Sequence, residues 1–285
     1  MFDTFKDKWK IKIIETGSFK LDGGAMMGSV PKVLWQKTNP CDDFNRIDLS
    51  MRCLLLDNGK DVVLIENGIG NKNNDKFIQM FSIVQSNFPL KDELNKNGYK
   101  LTDITHVILT HLHFDHAGGA TYFNGEENVP TFPNATYIIS SSNWEAAINP
   151  NPKDRASYLN ENFIPIQKFN QLKLVEDDCD IMDSISGLSF YGHTTGQQLI
   201  KIKVGNDSLV FCSDLIPLKS HLKLPWIMGY DLNAMKTLEE KTLFLSQASK
   251  ENWLLFFYHD PKTAAVRIEK GDKYYNITEE YFANG

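Results

Sequence analysis

No stretch of this 285-residue chain stays apolar for the ~20 residues that a membrane-spanning helix needs. Its first residues, MFDTFKDKWKIKII, lack the apolar centre of a signal peptide. Cysteine is scarce: Cys41, Cys53, Cys179 and Cys212 show no paired spacing, which argues against a disulfide scaffold. Cys53 and Cys212 sit inside apolar runs and read as buried free thiols in a reducing compartment. Lysine and arginine form no block and the net charge is −6, so neither nucleic acid nor an anionic membrane is an expected partner. A Gly-x-Ser-x-Gly elbow and a phosphate loop are absent, and GIGNKN (residues 68–73) lacks the third glycine of a dinucleotide fingerprint. The chain is expected to be cytoplasmic, so the Asn-x-Ser/Thr triplets at Asn134, Asn206 and Asn276 carry little meaning.

What is present is ordinary in bulk, with 42% hydrophobic and 23% charged residues, enough for a substantial core. No linker, repeat or low-complexity tract divides the chain, and a single domain over residues 1–285 is expected. Arg52 to Leu56 and Asp61 to Ile65 are apolar around Asn58-Gly59, a hairpin signal. Phe77, Met80, Phe81, Val84 and Phe88 recur at helical spacing, predicting a helix over 77–88. Further strands are expected over 107–110, 136–139, 188–191, 198–204, 209–211 and 254–258. Helices are expected over 142–148 and 233–249. Strands with helices set between them predict a mixed α/β sandwich.

Against this background one segment stands apart. THLHFDHAGG, residues 110–119, places His111, His113, Asp115 and His116 directly after the apolar run Val107-Ile108-Leu109. An isolated histidine beside a strand is ordinarily a hydrogen-bonded structural residue, and His106 is read so. Three imidazoles and a carboxylate within six residues would be costly beside a core unless they hold a metal. Three other apolar runs also end in a metal-capable residue: LSFYG before His193, LVFCS before Asp214 and LLFFY before His259. Side chains at strand ends of one sheet edge can converge there. Five histidines and two aspartates suit zinc and its first-row neighbours Mn, Fe and Co. Seven donors exceed the four that one zinc holds, so two divalent ions sharing a carboxylate are expected.

HLHFDH resembles the His-x-His-x-Asp-His signature of the metallo-β-lactamase fold superfamily. The resemblance runs along nearly the whole chain, through DNG and ENG at the first hairpin, GHTTGQ at 192–197, Ser213-Asp214 and Tyr258-His259-Asp260. It implies a four-layer αββα sandwich of two mixed sheets flanked by helices, with a dimetal site at one edge. It also implies that His111, His113 and His193 hold one metal, that Asp115, His116 and His259 hold the second, and that Asp214 bridges them. Within the superfamily the chain looks like the N-acyl-homoserine lactonase-like hydrolases, through HLHFDHAGG and LDGGAMMGSVPKVLW (residues 21–35). Two positions depart from that group. Pro217 stands where lactonases carry a tyrosine three residues after the bridging aspartate, leaving His221 or Tyr230 to supply a phenol-like donor. Glu66-Asn67-Gly68 replaces Asp-Thr-Gly.

The implied chemistry is hydrolysis of a lactone or ester by a hydroxide between the metals, with no activated serine or cysteine. The catalytic residues would be Asp115, orienting the hydroxide and passing a proton to the leaving alkoxide, and the bridging Asp214. Large apolar residues in two segments read as irregular, Met26, Met27, Val30 and Trp35 in one and Trp226, Ile227 and Met228 in the other, either close the core or form an apolar substrate wall. Phe114 is either a pocket wall or packing beneath the site, and Tyr230 is a candidate substrate contact. His221 is either a substrate contact or a surface residue. The expected partner is a small-molecule substrate, and a homodimer is compatible with the reading. A phosphotriesterase-like activity is the runner-up, since the same hydroxide attacks phosphorus. Di-iron relatives usually carry glutamate at the position of His113. A nuclease of this fold would show a basic groove, and a non-catalytic metal-binding protein would have no need of every ligand.

Overall fold

Alternation along the strands decides the layering. In Leu209-Val210-Phe211-Cys212, Leu209 and Phe211 join one buried cluster while Val210 and Cys212 join another. Leu254 and Phe256 likewise separate from Leu255 and Phe257, because successive side chains of a strand leave opposite faces. A sheet that is apolar on both faces must be covered on both. The structure, a computed structural model describing residues 2 and 5–283, covers one face with a second sheet and the other with a helix.

The first sheet begins with β1 (Lys10–Asp22), β2 (Arg46–Asp57), β3 (Val62–Ile65) and β4 (His106–Ile108). A separate hairpin, β5 (Thr121–Phe123) and β6 (Asn128–Pro130), intervenes before β7 (Thr136–Ser140) and β8 (Leu172–Val175) complete it in the order β1-β2-β3-β4-β7-β8. The second sheet comprises β9 (Asp180–Met182), β10 (Ile185–Phe190), β11 (Gln197–Val204), β12 (Asp207–Phe211), β13 (Leu254–Phe256), β14 (Thr263–Lys270) and β15 (Tyr275–Phe282), with neighbours in sequence order. Both sheets mix parallel and antiparallel pairs. Leu54, Leu56 and Val63 of one sheet share the central core with Ile200, Phe211 and Phe256 of the other.

Short helices α1 (Gly23–Met27), α2 (Lys32–Trp35) and α3 (Asp75–Phe81) lie along the first half, with α4 (Pro89–Lys96), α5 (Phe114–Ala117), α6 (Ser141–Ile148) and α7 (Asn160–Lys168) following. The long α8 (Ala234–Lys250) starts at Asn233, whose side chain caps Lys236 N, and buries Phe244, Leu245 and Ala248 on the second sheet. Each such large apolar side chain contributes about 1.5–3 kcal/mol when removed from water. The layers thus follow the αββα expectation, with helices flanking two mixed sheets. No helix among the described residues is long and apolar enough to cross a membrane, and all four cysteines are free.

Several local expectations are corrected. The helix predicted over 77–88 stops at Phe81, because Ser82 takes a left-handed conformation at φ 46 and Val84 pairs its backbone with Ser18. The apolar spacing over 77–88 therefore spans a helix, a bridge and a turn. Residues 21–35 are not irregular but hold α1 and α2. The edge strand β1 was not anticipated, since its lysines and glutamate interrupt the apolar pattern.

The two sheets meet at a corner that matters for the site. Ser50 N donates to His259 O at 2.9 Å and Arg52 N to Tyr258 O at 3.2 Å. The buried Arg52 guanidinium also donates to the carbonyls of Phe257 and Asp260 while its Nε bonds Glu15. The strand exits that carry the metal-capable residues are parallel neighbours: β3 beside β4, and β12 beside β13. β10 runs in the same sense as β12, since both are antiparallel to β11. Contacts between residues of the two sheets, His113 with His193 and His116 with Asp214, bring all five exits to one edge of the sandwich.

Behind that edge the chain crosses itself closely. Gly119 N donates to Gly68 O, and a Cβ on Gly119 would lie 2.1 Å from Asn67 O. Backbone atoms cannot yield as a flexible side chain would. Gly119→Ala is expected to destabilise the protein by about 2 kcal/mol or more, read as a lower urea midpoint; an unchanged midpoint would show that the crossing relaxes freely.

Candidate metal centre

The site is assembled from strand ends. The segment after β4 extends through Thr110 to His113, so that His111 and His113 face one point, and α5 then turns Asp115 and His116 back toward it. Tyr258 OH donates to Asp115 O at 2.6 Å and its ring lies 4.5 Å from that of His116, fixing the first turn of α5 from below. Asn143 at the start of α6 accepts from Leu112 N at 2.9 Å and donates to Thr195 O at 2.9 Å. It thereby ties the histidine segment to the loop that carries His193.

The seven expected donors come together in two groups. His113 Nδ1 lies 3.1 Å from His111 Nε2 and 3.3 Å from His193 Nε2. His116 Nε2 and His259 Nε2 are 3.2 Å apart, with Asp115 Oδ2 at 3.9 and 3.6 Å from them. Asp214 stands between the groups. Its Oδ1 is 3.3 Å from both His116 Nε2 and His259 Nε2, and its Oδ2 is 3.3 Å from His193 Nε2 and 4.0 Å from His111 Nε2. Each group can accept one cation, and the carboxylate faces both.

The protonation pattern fits such a use. Burial, reinforced by neighbouring imidazoles, pushes His111 and His113 well below the usual histidine range, leaving neutral rings with free lone pairs. Burial opposes the charging of His116, but the carboxylates of Asp214, Asp115 and Glu66 overcome it and raise that group well above its ordinary value. Asp214 is likewise buried against its charge, yet His116, His259 and His193 hold it well below the usual carboxylate range.

Residues around the donors set their orientation. Asp231 Oδ1 accepts from His193 Nδ1 at 2.8 Å and Ser50 O accepts from His259 Nδ1 at 2.9 Å. Each bond places the ring proton on Nδ1 and turns the Nε2 lone pair inward. Beneath His111 runs a buried polar chain: Gln197 Nε2 donates to Ser213 Oγ at 2.9 Å, which lies 2.8 Å from Thr110 Oγ1, which donates to Glu66 Oε1. Thr110 Oγ1 also accepts from His111 Nδ1 at 3.0 Å, and Glu66 Oε1 is 3.4 Å from His116 Nδ1. Glu66 and Ser213, at the exits of β3 and β12, hold left-handed conformations at φ 68 and 43. For residues other than glycine this costs on the order of 1 kcal/mol each and aims both side chains into the chain.

The expected substrate residues separate. Met26, Phe114 and Tyr230 line the cavity over the donors, with Leu21, Phe81 and Met228. Met27, Trp35 and Trp226 do not; they are buried in the core, where Trp35 packs against Gly23. His221 is neither on the surface nor on the cavity wall: it is buried and its Nε2 donates to Met26 O at 2.9 Å. Burial, with Lys241 adding to it, pushes His221 down to about 3, so it is a neutral strut behind Met26. Pro217 is buried and lies outside the cavity lining. Structure adds Asp231, Asn143 and Tyr158, which sequence reading overlooked because lone polar residues outside a motif carry no spacing signal. Glu66 had a signal, its place in the ENG tripeptide, but its contact with His116 depends on the fold.

Comparisons with known proteins bear on the family and the fold. Residues 49–259 match the Metallo-beta-lactamase superfamily model. An N-acyl homoserine lactonase of Bacillus cereus is 29% identical over 245 residues, covering 80% of this chain and 86% of that protein. The crystal structure of a probable metal-dependent hydrolase from Staphylococcus aureus superposes with a TM-score of 0.90 at 28% identity, covering 98% of both chains. AidC, a dizinc quorum-quenching lactonase solved with its product, superposes with a TM-score of 0.77 over 97% of this chain and 99% of its own, at 21% identity.

Two outcomes test the assembly. With Asp214 facing both groups, Asp214→Ala should lower metal content from about two ions per chain toward one or none, and unchanged stoichiometry by elemental analysis would remove its bridging role. Asp231→Asn, which weakens the bond orienting His193, should lower metal affinity by about 10- to 100-fold. Titration against a chelating indicator measures this, and an unaltered affinity would make Asp231 dispensable.

Proposed function

The chain belongs to the metallo-beta-lactamase superfamily and is a metal-dependent hydrolase, and we propose that the bond it hydrolyses is the ring ester of an N-acyl lactone. The observation that carries this reading is the cavity itself: apolar side chains of Leu21, Met26, Phe81, Phe114 and Met228 stand over Asp115, Asp214 and His259. Phe81 and Phe114 are in ring contact, and Phe77 packs behind them. Such a wall suits an acyl chain and offers no cluster of cations for a phosphorylated substrate.

We assign one divalent ion to His111, His113 and His193, a second to Asp115, His116 and His259, and both to Asp214; zinc suits these imidazole and carboxylate donors. Ions held there would bring the pKa of a water toward about 7 and polarise the ester carbonyl. Asp115 lines the cavity with Asp214, and we assign it to orient the attacking oxygen and to hand its proton to the ring oxygen as the C–O bond breaks. Tyr230 is the candidate for the missing phenol. Its hydroxyl is pushed up to about 12 by burial and by the Asp22 and Asp115 carboxylates, so at neutral pH it remains a donor. It is assigned to the carbonyl oxygen, where charge develops during attack. The products are the open-chain hydroxy acid and an enzyme returned to its starting protonation.

The test is turnover of a long-chain acyl-homoserine lactone, a simple aryl ester and an aryl phosphotriester by metal-loaded protein, with and without chelator. Chelator-sensitive opening of the lactone is expected, and activity confined to the phosphotriester would overturn the substrate assignment. Tyr230→Phe should lower kcat on the lactone by about 10²- to 10³-fold with little change in KM. A wild-type kcat would remove Tyr230 from the reaction.

A further inference from the structure

The loop joining α6 to α7 contributes Lys153, Asp154, Ala156 and Ser157 to the cavity wall, and none of them has a part in the chemistry above. Asp154 is the unusual member. It is only 6% exposed, and its carboxylate is half satisfied: Oδ2 accepts from Thr194 Oγ1 at 3.2 Å, whereas Oδ1 is buried without a partner among the described residues. The side chain is held in place rather than loosely packed. Thr194 Oγ1 is 2.6 Å from Tyr158 OH, and the Tyr158 ring lies 4.8 Å from that of His113. Lys153, its neighbour, turns its ammonium to the carbonyls of Tyr230 and Asp231.

A carboxylate oxygen taken from water and given no donor is costly. A donor arriving with the substrate would relieve that cost, and a substrate without one would not. We propose that Asp154 is a specificity-determining residue that accepts a hydrogen bond from the substrate's amide N–H, next to the lactone ring, while the apolar wall takes the acyl chain. The assignment rests on the lactone reading above and narrows it: the enzyme selects lactones that carry an acylated amine over lactones that carry only a hydrocarbon chain. The principle is the general one that a site built to hydrogen-bond a substrate group discriminates against the analogue lacking it.

The experiment compares an N-acyl-homoserine lactone with a γ-alkyl lactone of similar length that has no N–H, using metal-loaded wild type, Asp154→Ala and Asp154→Asn. The asparagine variant retains an acceptor for Thr194 and can turn its NH2 group to the open position, so it controls for loss of loop structure. Metal content by elemental analysis accompanies every assay. The preference for the amide substrate, as the ratio of kcat/KM values, should fall about ten- to a hundredfold in both variants. Equal losses on the two lactones, or no loss on either, would overturn the role of Asp154 and leave the lactone reading standing. A wild type that opens only the γ-alkyl lactone would overturn the role of Asp154 and the N-acyl part of the substrate assignment, leaving a lactonase of another substrate. A wild type that opens neither would overturn both together.

Discussion

Everything at the active edge depends on one carboxylate. Asp214 reaches two groups of imidazoles at once, with Oδ1 toward His116 and His259 and Oδ2 toward His193 and His111. Ring nitrogens 3.1–3.3 Å apart either share a proton or face a common cation. Burial holds His111 down, while the Asp214, Asp115 and Glu66 carboxylates lift His116. The arrangement is therefore poised for cations and held in that state by its surroundings.

Those surroundings are costly to build, which explains features that would otherwise look arbitrary. Glu66 and Ser213 adopt left-handed backbone conformations, and a fully buried glutamate takes its bonds from Thr110. The backbone crossing at Gly119, the Asn143 tie between two loops, and the Arg52 anchor at the sheet corner all hold strand exits at fixed separations. Precision at such a site comes from rigid elements and their supporting bonds. The large shared core between the sheets supplies the stability against which this local strain is set.

The apolar wall and the polar loop divide the cavity by chemistry. Phe81, Phe114 and Met26 make one part hostile to charge, while Asp154 and Lys153 bring polar groups to another. A substrate that satisfies both needs a hydrocarbon portion and a hydrogen-bond donor, in addition to the bond that is broken. That combination separates this pocket from a purely hydrophobic esterase slot and relates its shape to its proposed selectivity.

The sequence by itself determined the layered fold and the seven metal-capable residues that gather at its edge. Continuous apolar runs such as Leu209–Cys212 and Leu254–Phe257 mark strands buried on both faces, and each of those runs is followed by a metal-capable residue. Such signals are local, carried by runs of apolar residues and by spacing within a motif, so they can be read without coordinates. Tertiary structure alone decided which residues support and surround the donors. Asp231 meets His193 across 38 positions and Glu66 meets Thr110 across 44, separations at which no spacing rule applies. It also decided that Trp35, Trp226 and His221 belong to the interior while Tyr230 and Asp154 reach the cavity. A large apolar or polar residue in a loop looks the same in sequence whichever way it turns, and only the packing of distant segments against it selects the direction.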